Sequence, residues 1–442
     1  MLLTSAVAAA DRKQSMRIAL ITPGSGDHFY CENCRRDLDT VQALAKRGQD
    51  AVLVPLYLPI GAASSAAAPP VFYGAVNVYL TQFLPGYRRL PRRWRRWLDA
   101  LPVLRWAAAR AGSTRAGGLE TLTLSVLRGE DGRQADELTR LVEWLRRDFR
   151  PDVVHLSNAL LLGLAERIRA EVGVPVVCSL QDEDTWIEAM PAPWPTRIWE
   201  TMAERAAGVE LFLAVSRTYG AALSQRLRLP PERWRVVYPG IDLASRAPVA
   251  PPRVPTLGYY ARLCPALGLD LLVEAFLALR QRPGLAALRL HAAGGMTADD
   301  RPFVDGLRRR LQAAGAADQV EIATTFEPAA VRSFLEAVTV VSVPVPGGEA
   351  FGLFTLEALA HGVPVVLPEA GAFPEVAGLT GGVLLYPPAQ PEALAAALAR
   401  VLLEPDRRAA LALAGRAGIS QHFDLQRCTV PALLQVYQSV TG

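Results

Sequence analysis

Short apolar runs alternate with longer amphipathic stretches along most of this 442-residue chain. One series of strand-like runs extends from residue 17 to residue 238, and a second extends from residue 256 to residue 367. The stretches between the runs have the spacing of apolar positions that is typical of amphipathic helices. Regular alternation of strands and helices is typical of α/β chains with parallel sheets. The sequence therefore predicts two doubly wound, Rossmann-like domains.

Several of these elements are followed directly by residues that can carry chemistry. The predicted strands concerned are Arg17–Ile21, Asp152–Leu156, Val174–Cys178, Thr256–Tyr260, Leu288–Gly294, Val338–Pro344 and Val363–Leu367. The predicted helices concerned are residues 37–47 and Leu353–His361, and Gly362 and Pro364 end the second of them.

A proline-rich segment separates the two series of strands. Pro248–Pro255 contains four prolines and shows no periodicity, as is typical of a linker. Two domains joined in this way face each other across a cleft at the carboxyl ends of their strands, where such folds bind ligands. The predicted organisation is a disordered tail (1–15), a first domain (16–247), a linker (248–255), a second domain (256–418) and a C-terminal helical segment (419–442) that packs back on the first domain.

Composition and charge argue against several classes of protein. The formal net charge of +4 is small for this length, and most basic residues are scattered among acids, so no nucleic-acid partner is predicted. The chain contains no run of 18 apolar residues, and therefore no spanning helix is expected. Five cysteines, an odd number, favour a reducing cytoplasm over a disulfide framework.

Cys31 and Cys34 form an isolated Cys-x-x-Cys pair. A structural zinc would require two further ligands at matching spacing, and the sequence offers none. A redox role is one alternative. The favoured interpretation is two small residues at the start of a helix.

One basic cluster differs from the scattered charge of the rest of the chain. The segment Arg88–Trp97 contains six arginines interleaved with tryptophan and leucine. Such a segment resembles an interfacial helix that lies on anionic lipid, which would place a cytoplasmic protein peripherally at the cytoplasmic face of a membrane. Acceptor recognition is a second interpretation. The favoured one is a basic helix that packs its tryptophans against the first domain.

The most informative segment is residues 347–360. It places Glu349 in the loop after a strand and Glu357 inside the following helix, with seven residues between the two carboxylates. The main-chain N–H groups of Phe351, Gly352 and Leu353 would form the helix N-terminus, where unpaired donors and the helix dipole favour an anion. A phosphate on these amides, with carboxylate oxygens nearby for hydroxyl groups, describes a nucleotide-sugar site.

This segment resembles the paired-glutamate motif of the retaining glycosyltransferases of family 4, which have the GT-B fold of two Rossmann-like domains facing across a cleft. The resemblance extends from about Met16 to the end of the chain. It implies that Glu349 contacts the hydroxyls of the donor sugar and that Glu357 contacts the ribose hydroxyls. It further implies a reaction without metal or cofactor.

The segment Gly258–Asp270 resembles the loop that binds the donor phosphates in this family. Arg262 matches the arginine of that loop and suits bidentate contact with phosphate oxygens. Leu267 stands where the family has lysine, so one expected cation is missing. Arg253 and Arg301 are alternative cations by sequence alone. If neither arginine replaces the missing lysine, the enzyme is expected to be slow or catalytically degenerate.

The remaining candidates lie in loops at strand ends. On the donor side they are Gly371, Glu375 and Gly294, with a plain strand-to-helix connection as the alternative. On the acceptor side they are Gly24, Ser25 and Gly26, where glycine lets the backbone approach a ligand, together with His155 and Asp182. A core or rim histidine and a solvated acid are the alternatives for the last two.

The predicted function is retaining transfer of a sugar from a nucleotide-sugar donor to an acceptor hydroxyl. The donor binds mainly to the second domain, and the acceptor (a glycan, a lipid-linked molecule or a small molecule) binds mainly to the first. The alternatives are a sugar-nucleotide epimerase of the same fold and a degenerate sugar-nucleotide-binding protein.

Overall fold

The structure is a computed structural model, and it describes residues 15–24, 32–57, 72–73, 117–325 and 328–442. Nearly all of the predicted N-terminal tail lies outside these ranges, as do Ser25, Gly26, Cys31 and the basic segment Arg88–Trp97.

The first sheet consists of six parallel strands in the order β2-β1-β3-β4-β5-β6. Its strands are β1 Arg17–Thr22, β2 Asp50–Pro55, β3 Val153–Leu156, β4 Val176–Leu180, β5 Leu211–Ala214 and β6 Trp234–Val236. Because β2 and β3 lie on opposite sides of β1, the chain reverses direction across the sheet at the carboxyl ends of β1 and β3. Such a switch point opens a crevice for ligands.

The second sheet also has six parallel strands, in the order β12-β11-β10-β7-β8-β9. Its strands are β7 Thr256–Tyr260, β8 Arg289–Ala293, β9 Val320–Ile322, β10 Val340–Val341, β11 Val365–Pro368 and β12 Val383–Tyr386. The switch point lies between β7 and β10. Arg262 follows β7 and Glu349 follows β10, so both candidates leave the sheet at this point.

Helices cover both sheets. In the first half of the described chain they are α1 Glu32–Lys46, α2 Glu120–Leu127, α3 Ala135–Trp144, α4 Ala165–Val172, α5 Glu183–Glu188, α6 Trp194–Arg205 and α7 Arg217–Arg226. In the second half they are α8 Leu269–Leu279, α9 Arg301–Ala313, α10 Val331–Glu336, α11 Leu353–Ala360, α12 Phe373–Thr380, α13 Pro391–Leu403, α14 Pro405–His422 and α15 Val430–Thr441.

Two predicted elements differ from the observed ones. Helix α1 begins at Glu32 instead of residue 37, because its first turn is polar and gives no apolar period. The apolar run Val338–Pro344 pairs as a strand only at Val340 and Val341. The Ser342 N–H still donates to the Gly258 carbonyl at 2.8 Å, but Pro344 has no N–H with which to continue the pairing, and the run turns toward the Glu349 loop.

The last helix returns to the first sheet. Leu433, Val436 and Tyr437 of α15 share an apolar cluster with β1, β3, β4 and β5. Upstream, the Ile241 N–H donates to the Phe423 carbonyl at 2.8 Å, and the Leu425 N–H donates to the Ile241 carbonyl at 3.0 Å. The chain end is therefore part of the core beneath the first sheet.

No helix in the described ranges combines the length and the apolar character needed to cross a membrane.

Candidate functional site

The loop that carries Glu349 is held in place by glycines. Gly352 has φ of 85°, and a Cβ at this position would lie 2.8 Å from the Phe373 ring. Gly371 has φ of 56°, and a Cβ there would lie 2.6 Å from the Glu349 carbonyl oxygen. The Ala372 N–H donates to that same oxygen at 2.9 Å. Only glycine permits this close approach, which fixes the Glu349 loop against the start of α12.

The N-terminus of α11 already binds an anion. The Leu353 N–H donates to Glu32 Oε2 at 2.8 Å, and the Phe354 N–H donates to Glu32 Oε1 at 3.2 Å. Glu32 belongs to α1 and therefore comes from the first sheet's side of the crevice. A carboxylate thus occupies main-chain donors at the helix end where the sequence predicted a phosphate, and the helix dipole favours it there.

The Ala350 backbone is clamped by two side chains from the first sheet's side. Its N–H donates to the Asp182 carboxylate, which also accepts a hydrogen bond from the Asn33 side chain. The Ala350 carbonyl oxygen accepts a hydrogen bond from the Ser216 hydroxyl at 2.7 Å. Asp182 has φ of 53°, a left-handed conformation that aspartate tolerates better than most residues. The acceptor-side candidate Asp182 and the Glu349 loop are therefore in direct contact.

The closed crevice concentrates negative charge. Burial raises the pKa of Glu349 well above its ordinary value, and the carboxylates of Glu32 and Asp182 raise that pKa further. Burial also raises the pKa of Asp182 from 3.8 to about 6, with Asp184 adding to the shift. These carboxyl groups hold protons more tightly in the closed crevice than they would in water.

Closure of the crevice is consequently expected to depend on pH. The pKa of Asp182 is about 6 in the closed crevice, and it returns toward the ordinary value of 3.8 when opening exposes the carboxyl to water. Between these values closure should weaken about tenfold per pH unit as pH rises, because the closed form binds the proton more tightly. Small-angle X-ray scattering without nucleotide should show a larger radius of gyration at pH 7 than at pH 5. Asp182→Asn should flatten this dependence, and an unchanged pH profile in that variant would contradict the assignment.

Glu357 is held by a buried arginine. Arg246 Nη2 lies 2.9 Å from Glu357 Oε1, and Arg246 Nε lies 3.3 Å from Oε2, so the guanidinium grips the carboxylate with two bonds. Only 11% of the Arg246 side chain and 9% of the Glu357 side chain are exposed. Arg246 Nη1 also donates to the Asp242 carbonyl at 3.1 Å. The turn at Asp242 thereby fixes the orientation of Glu357.

Loss of this arginine is expected to destabilise the protein. Arg246→Met leaves the Glu357 carboxylate buried without its partner, at a cost of about 3–5 kcal/mol. Calorimetry should show a lower unfolding midpoint, with the double variant Arg246→Met, Glu357→Leu recovering most of the loss. Arg332→Met is the control, because its pair with Glu336 is about half exposed and contributes at most about 1 kcal/mol. Equal midpoints for the two single variants would contradict the expectation.

Arg262 lies among the loops that follow β7 and β8. Its guanidinium donates to Asp300 at 2.9 and 3.2 Å and to the Thr297 hydroxyl at 3.0 Å. Gly294 lets these loops meet: its φ is 136°, and a Cβ there would lie 2.1 Å from the Ala261 carbonyl oxygen. The structure thus gives Gly294 a packing role next to Arg262. Phosphate binding by Arg262 stays a prediction.

His155, which the sequence predicted as an acceptor-side contact, is buried and lines a small cavity together with Arg36. It is 3% exposed, with Nδ1 2.7 Å from the Tyr437 hydroxyl and Nε2 2.8 Å from Ser179 Oγ. Burial lowers the pKa of His155 to about 3, with a smaller contribution from the charge of Arg36. Both ring nitrogens are engaged inside the protein, which favours the core interpretation, and substrate contact by His155 stays a prediction.

Glu375 lies at the boundary between the two halves of the molecule. It was a candidate for donor contact, but its carboxylate faces the first sheet's side, where it accepts hydrogen bonds from residues 217, 218 and 238. Phe351 shares this boundary, with its ring centroid 6.5 Å from that of Tyr238 and 5.7 Å from that of Phe423.

Between the two halves the crevice leaves a cavity of about 20 Å³, which is room for a water molecule. It brings the acceptor-side candidate Asp182 together with the donor-side candidates Phe351, Gly352 and Leu353. Gly24 lies two residues after the end of β1 and has φ of 75°. The lining residues are Glu32, Asn33, Arg36, Gln181, Asp182, Val215, Pro239, Ala350, Phe351, Gly352 and Leu353.

Sequence reasoning missed Glu32 and Arg246. Glu32 lies between the two cysteines of the Cys-x-x-Cys pair, and a first-turn acid shortly after a glycine-rich loop was its only signal. Arg246 follows the turn at Asp242 by four residues. In the part of the chain that the structure describes, no group of three or more His, Cys, Asp or Glu side chains is arranged to hold a metal ion.

Comparisons with known proteins agree with this architecture. The family model "Glycosyl transferases group 1" matches residues 254–404, and the family model "Glycosyltransferase Family 4" matches residues 120–245. A sucrose-phosphate synthase from Thermosynechococcus elongatus has a TM-score of 0.67 at 18% identity, covering 96% of this chain and 98% of that one. Anabaena HepE, solved with UDP and glucose, has a TM-score of 0.67 at 16% identity, covering 96% and 100%. The chain therefore has the GT-B fold of two-domain glycosyltransferases, as the sequence predicted.

Curated relatives identify the family. The D-inositol 3-phosphate glycosyltransferase of Acidothermus cellulolyticus is 30% identical over 65% of this chain and 67% of its own length. The enzyme of the same name from Segniliparus rotundus is 28% identical over 62% of each chain. The matched region thus spans roughly three fifths to two thirds of these relatives. The chain belongs to the family 4 glycosyltransferases.

Proposed function

We propose that this protein transfers a sugar from a nucleoside diphosphate sugar to an acceptor hydroxyl, with retention of the anomeric configuration. The observation that carries the proposal is the Glu32 carboxylate on the Leu353 and Phe354 N–H groups. It marks an anion site at a helix N-terminus, in a crevice at two switch points. Glu349 precedes this site and Glu357 follows it within the same segment.

In the proposed complex the donor diphosphate replaces the Glu32 carboxylate on these amides. Glu349 then accepts hydrogen bonds from the sugar hydroxyls, and Glu357, held by Arg246, accepts them from the ribose hydroxyls. As the sugar–phosphate bond breaks, charge develops on the diphosphate, and the amides and Arg262 stabilise it. Retention is what the family resemblance implies.

Donor entry requires the crevice to open. Its cavity of about 20 Å³ has room for a water molecule but not for a nucleotide sugar. Opening separates Glu32 from α11 and Asp182 from Ala350. Closure over the donor then aligns the acceptor hydroxyl with the anomeric carbon and excludes water.

UDP-sugars and phosphorylated polyols are the first ligands to test. The solved HepE complexes contain UDP, and the curated relatives are named for D-inositol 3-phosphate. Arg36 lines the crevice beside Asp182, and a guanidinium suits a phosphorylated acceptor. Glycan and lipid-linked acceptors are the alternatives.

A thermal-shift series followed by turnover assays tests this function. UDP should stabilise the protein by about 2.7 kcal/mol at a hundredfold excess over its dissociation constant, and other nucleoside diphosphates should stabilise it less. Transfer from a UDP-sugar to inositol phosphate excludes the degenerate binding protein. Conversion of one sugar nucleotide into another without acceptor would identify the epimerase instead. No stabilisation by any nucleoside diphosphate would contradict the proposal.

A further inference from the structure

Glu375 makes four hydrogen bonds across the boundary between the two halves. Its Oε1 accepts from the Arg217 N–H at 3.0 Å and from the Tyr238 hydroxyl at 2.6 Å. Its Oε2 accepts from the Thr218 N–H at 3.1 Å and from the Thr218 hydroxyl at 3.2 Å. Both carboxylate oxygens are thus engaged by residues that follow β5 and β6 of the first sheet, although Glu375 belongs to α12, which packs on the second sheet.

These bonds complete the N-terminus of α7. Ser216 caps this helix by accepting the Tyr219 N–H at 3.1 Å, which leaves the N–H groups of Arg217 and Thr218 without a partner inside the helix. Glu375 supplies that partner from the other half of the molecule. A carboxylate on helix N-terminal amides is favoured both by charge-assisted hydrogen bonding and by the helix dipole.

The same helix that carries Glu375 begins on the Glu349 loop. The Ala372 N–H donates to the Glu349 carbonyl at 2.9 Å, and Glu375 lies three residues further along. On the opposite side, Ser216 Oγ donates to the Ala350 carbonyl at 2.7 Å. The start of α7 is therefore attached to the Glu349 loop twice, directly through Ser216 and through α12 by way of Glu375.

We propose that Glu375 is a positioning residue that docks the start of α7 against the Glu349 loop and thereby sets the two domains in the arrangement that transfer requires. This inference rests on the proposed function for its catalytic consequence. Glu375 leaves the amides of Leu353 and Phe354 untouched, whereas Glu32 occupies them. The Glu375 contact is therefore compatible with a bound diphosphate, and the Glu32 contact is not.

The test compares Glu375→Gln with Glu392→Gln in the full-length protein. Glu392 is an exposed first-turn acid of α13 in the same half of the molecule, so its substitution should change nothing. Glu375→Gln keeps the size of the side chain but removes its charge. In scattering with saturating UDP, only Glu375→Gln should enlarge the radius of gyration.

Kinetics separate positioning from a purely structural role. Glu375→Gln should lower kcat about tenfold or more, because bonds to a charged group are lost, while UDP affinity stays within about threefold. The share of donor that is hydrolysed should rise, since a less closed cleft admits water. Adding Tyr238→Phe should lower kcat less in the Glu375→Gln background than in the wild type, because the two side chains share one bond.

The outcomes also separate this inference from the proposed function. Wild-type scattering and wild-type kcat in Glu375→Gln, at an unchanged unfolding midpoint, would overturn the inference. A larger radius of gyration in a protein that binds no UDP and transfers no sugar would support the docking contact while the proposed function fails. A lowered unfolding midpoint without change in scattering would assign Glu375 to stability and would also overturn the inference.

Discussion

Glu349→Gln is expected to lower the rate of sugar transfer by about 100- to 1,000-fold while UDP affinity stays within about threefold. In the proposed complex Glu349 contacts the sugar and not the nucleotide, so the loss should fall on the transition state, where positive charge develops at the sugar ring. Glutamine keeps the size of the side chain but cannot balance that charge. The measurement is kcat for transfer together with the dissociation constant of UDP from calorimetric titration.

A second acid near the same loop supplies the control. Glu369 follows β11 and is exposed, and Glu369→Gln should leave both quantities unchanged. Equal transfer rates in Glu349→Gln and wild type would contradict the role of Glu349. A large loss of UDP affinity in Glu349→Gln would instead place its carboxylate on the nucleotide.

Glu32→Gln is expected to raise the affinity for UDP by about tenfold or more, because it weakens a charged competitor for the donor's site. In the donor-free protein, the diphosphate has to displace the Glu32 carboxylate from the Leu353 and Phe354 N–H groups. The apparent affinity falls in proportion to the fraction of molecules in which these two N–H groups are accessible to the diphosphate. A substitution in a binding crevice usually weakens binding, so the sign of this effect is diagnostic.

Glu166→Gln is the matched control for this variant. Glu166 is likewise a first-turn acid of a helix on the first sheet, and it is exposed and paired with Arg205. UDP affinity should be unchanged in Glu166→Gln. A lower affinity in Glu32→Gln would mean that Glu32 helps to hold the nucleotide, and displacement would then be excluded.

The fold was predictable because its signals are local. Alternation of apolar runs and amphipathic stretches reports parallel sheets wherever strands are buried on both faces, as Val153–Leu156 and Val176–Leu180 are. Gly362 and Pro364 are equally local signals, and they correctly predicted where α11 ends. Boundaries were less certain where the first turn of a helix is polar, as in α1.

Only the part of the candidate site that belongs to the second domain was predictable from the sequence. The segment 347–360 carries its chemistry within fourteen residues, so a strand, a loop and a helix bring it together without distant contacts. The contacts of Glu32, Arg246 and Glu375 depend on how the two halves of the molecule meet. No local sequence pattern encodes that arrangement. His155 shows the same limit. The sequence correctly predicted that it lies near the end of a strand, but its ring is engaged by Tyr437, which lies 282 residues away.

A crystal structure with UDP bound would show whether the diphosphate displaces Glu32 from the start of α11. We expect diphosphate oxygens about 3 Å from the Leu353 and Phe354 nitrogens, with the Glu32 carboxylate displaced and Glu357 facing the ribose. UDP bound elsewhere, with Glu32 still on those two amides, would contradict this expectation.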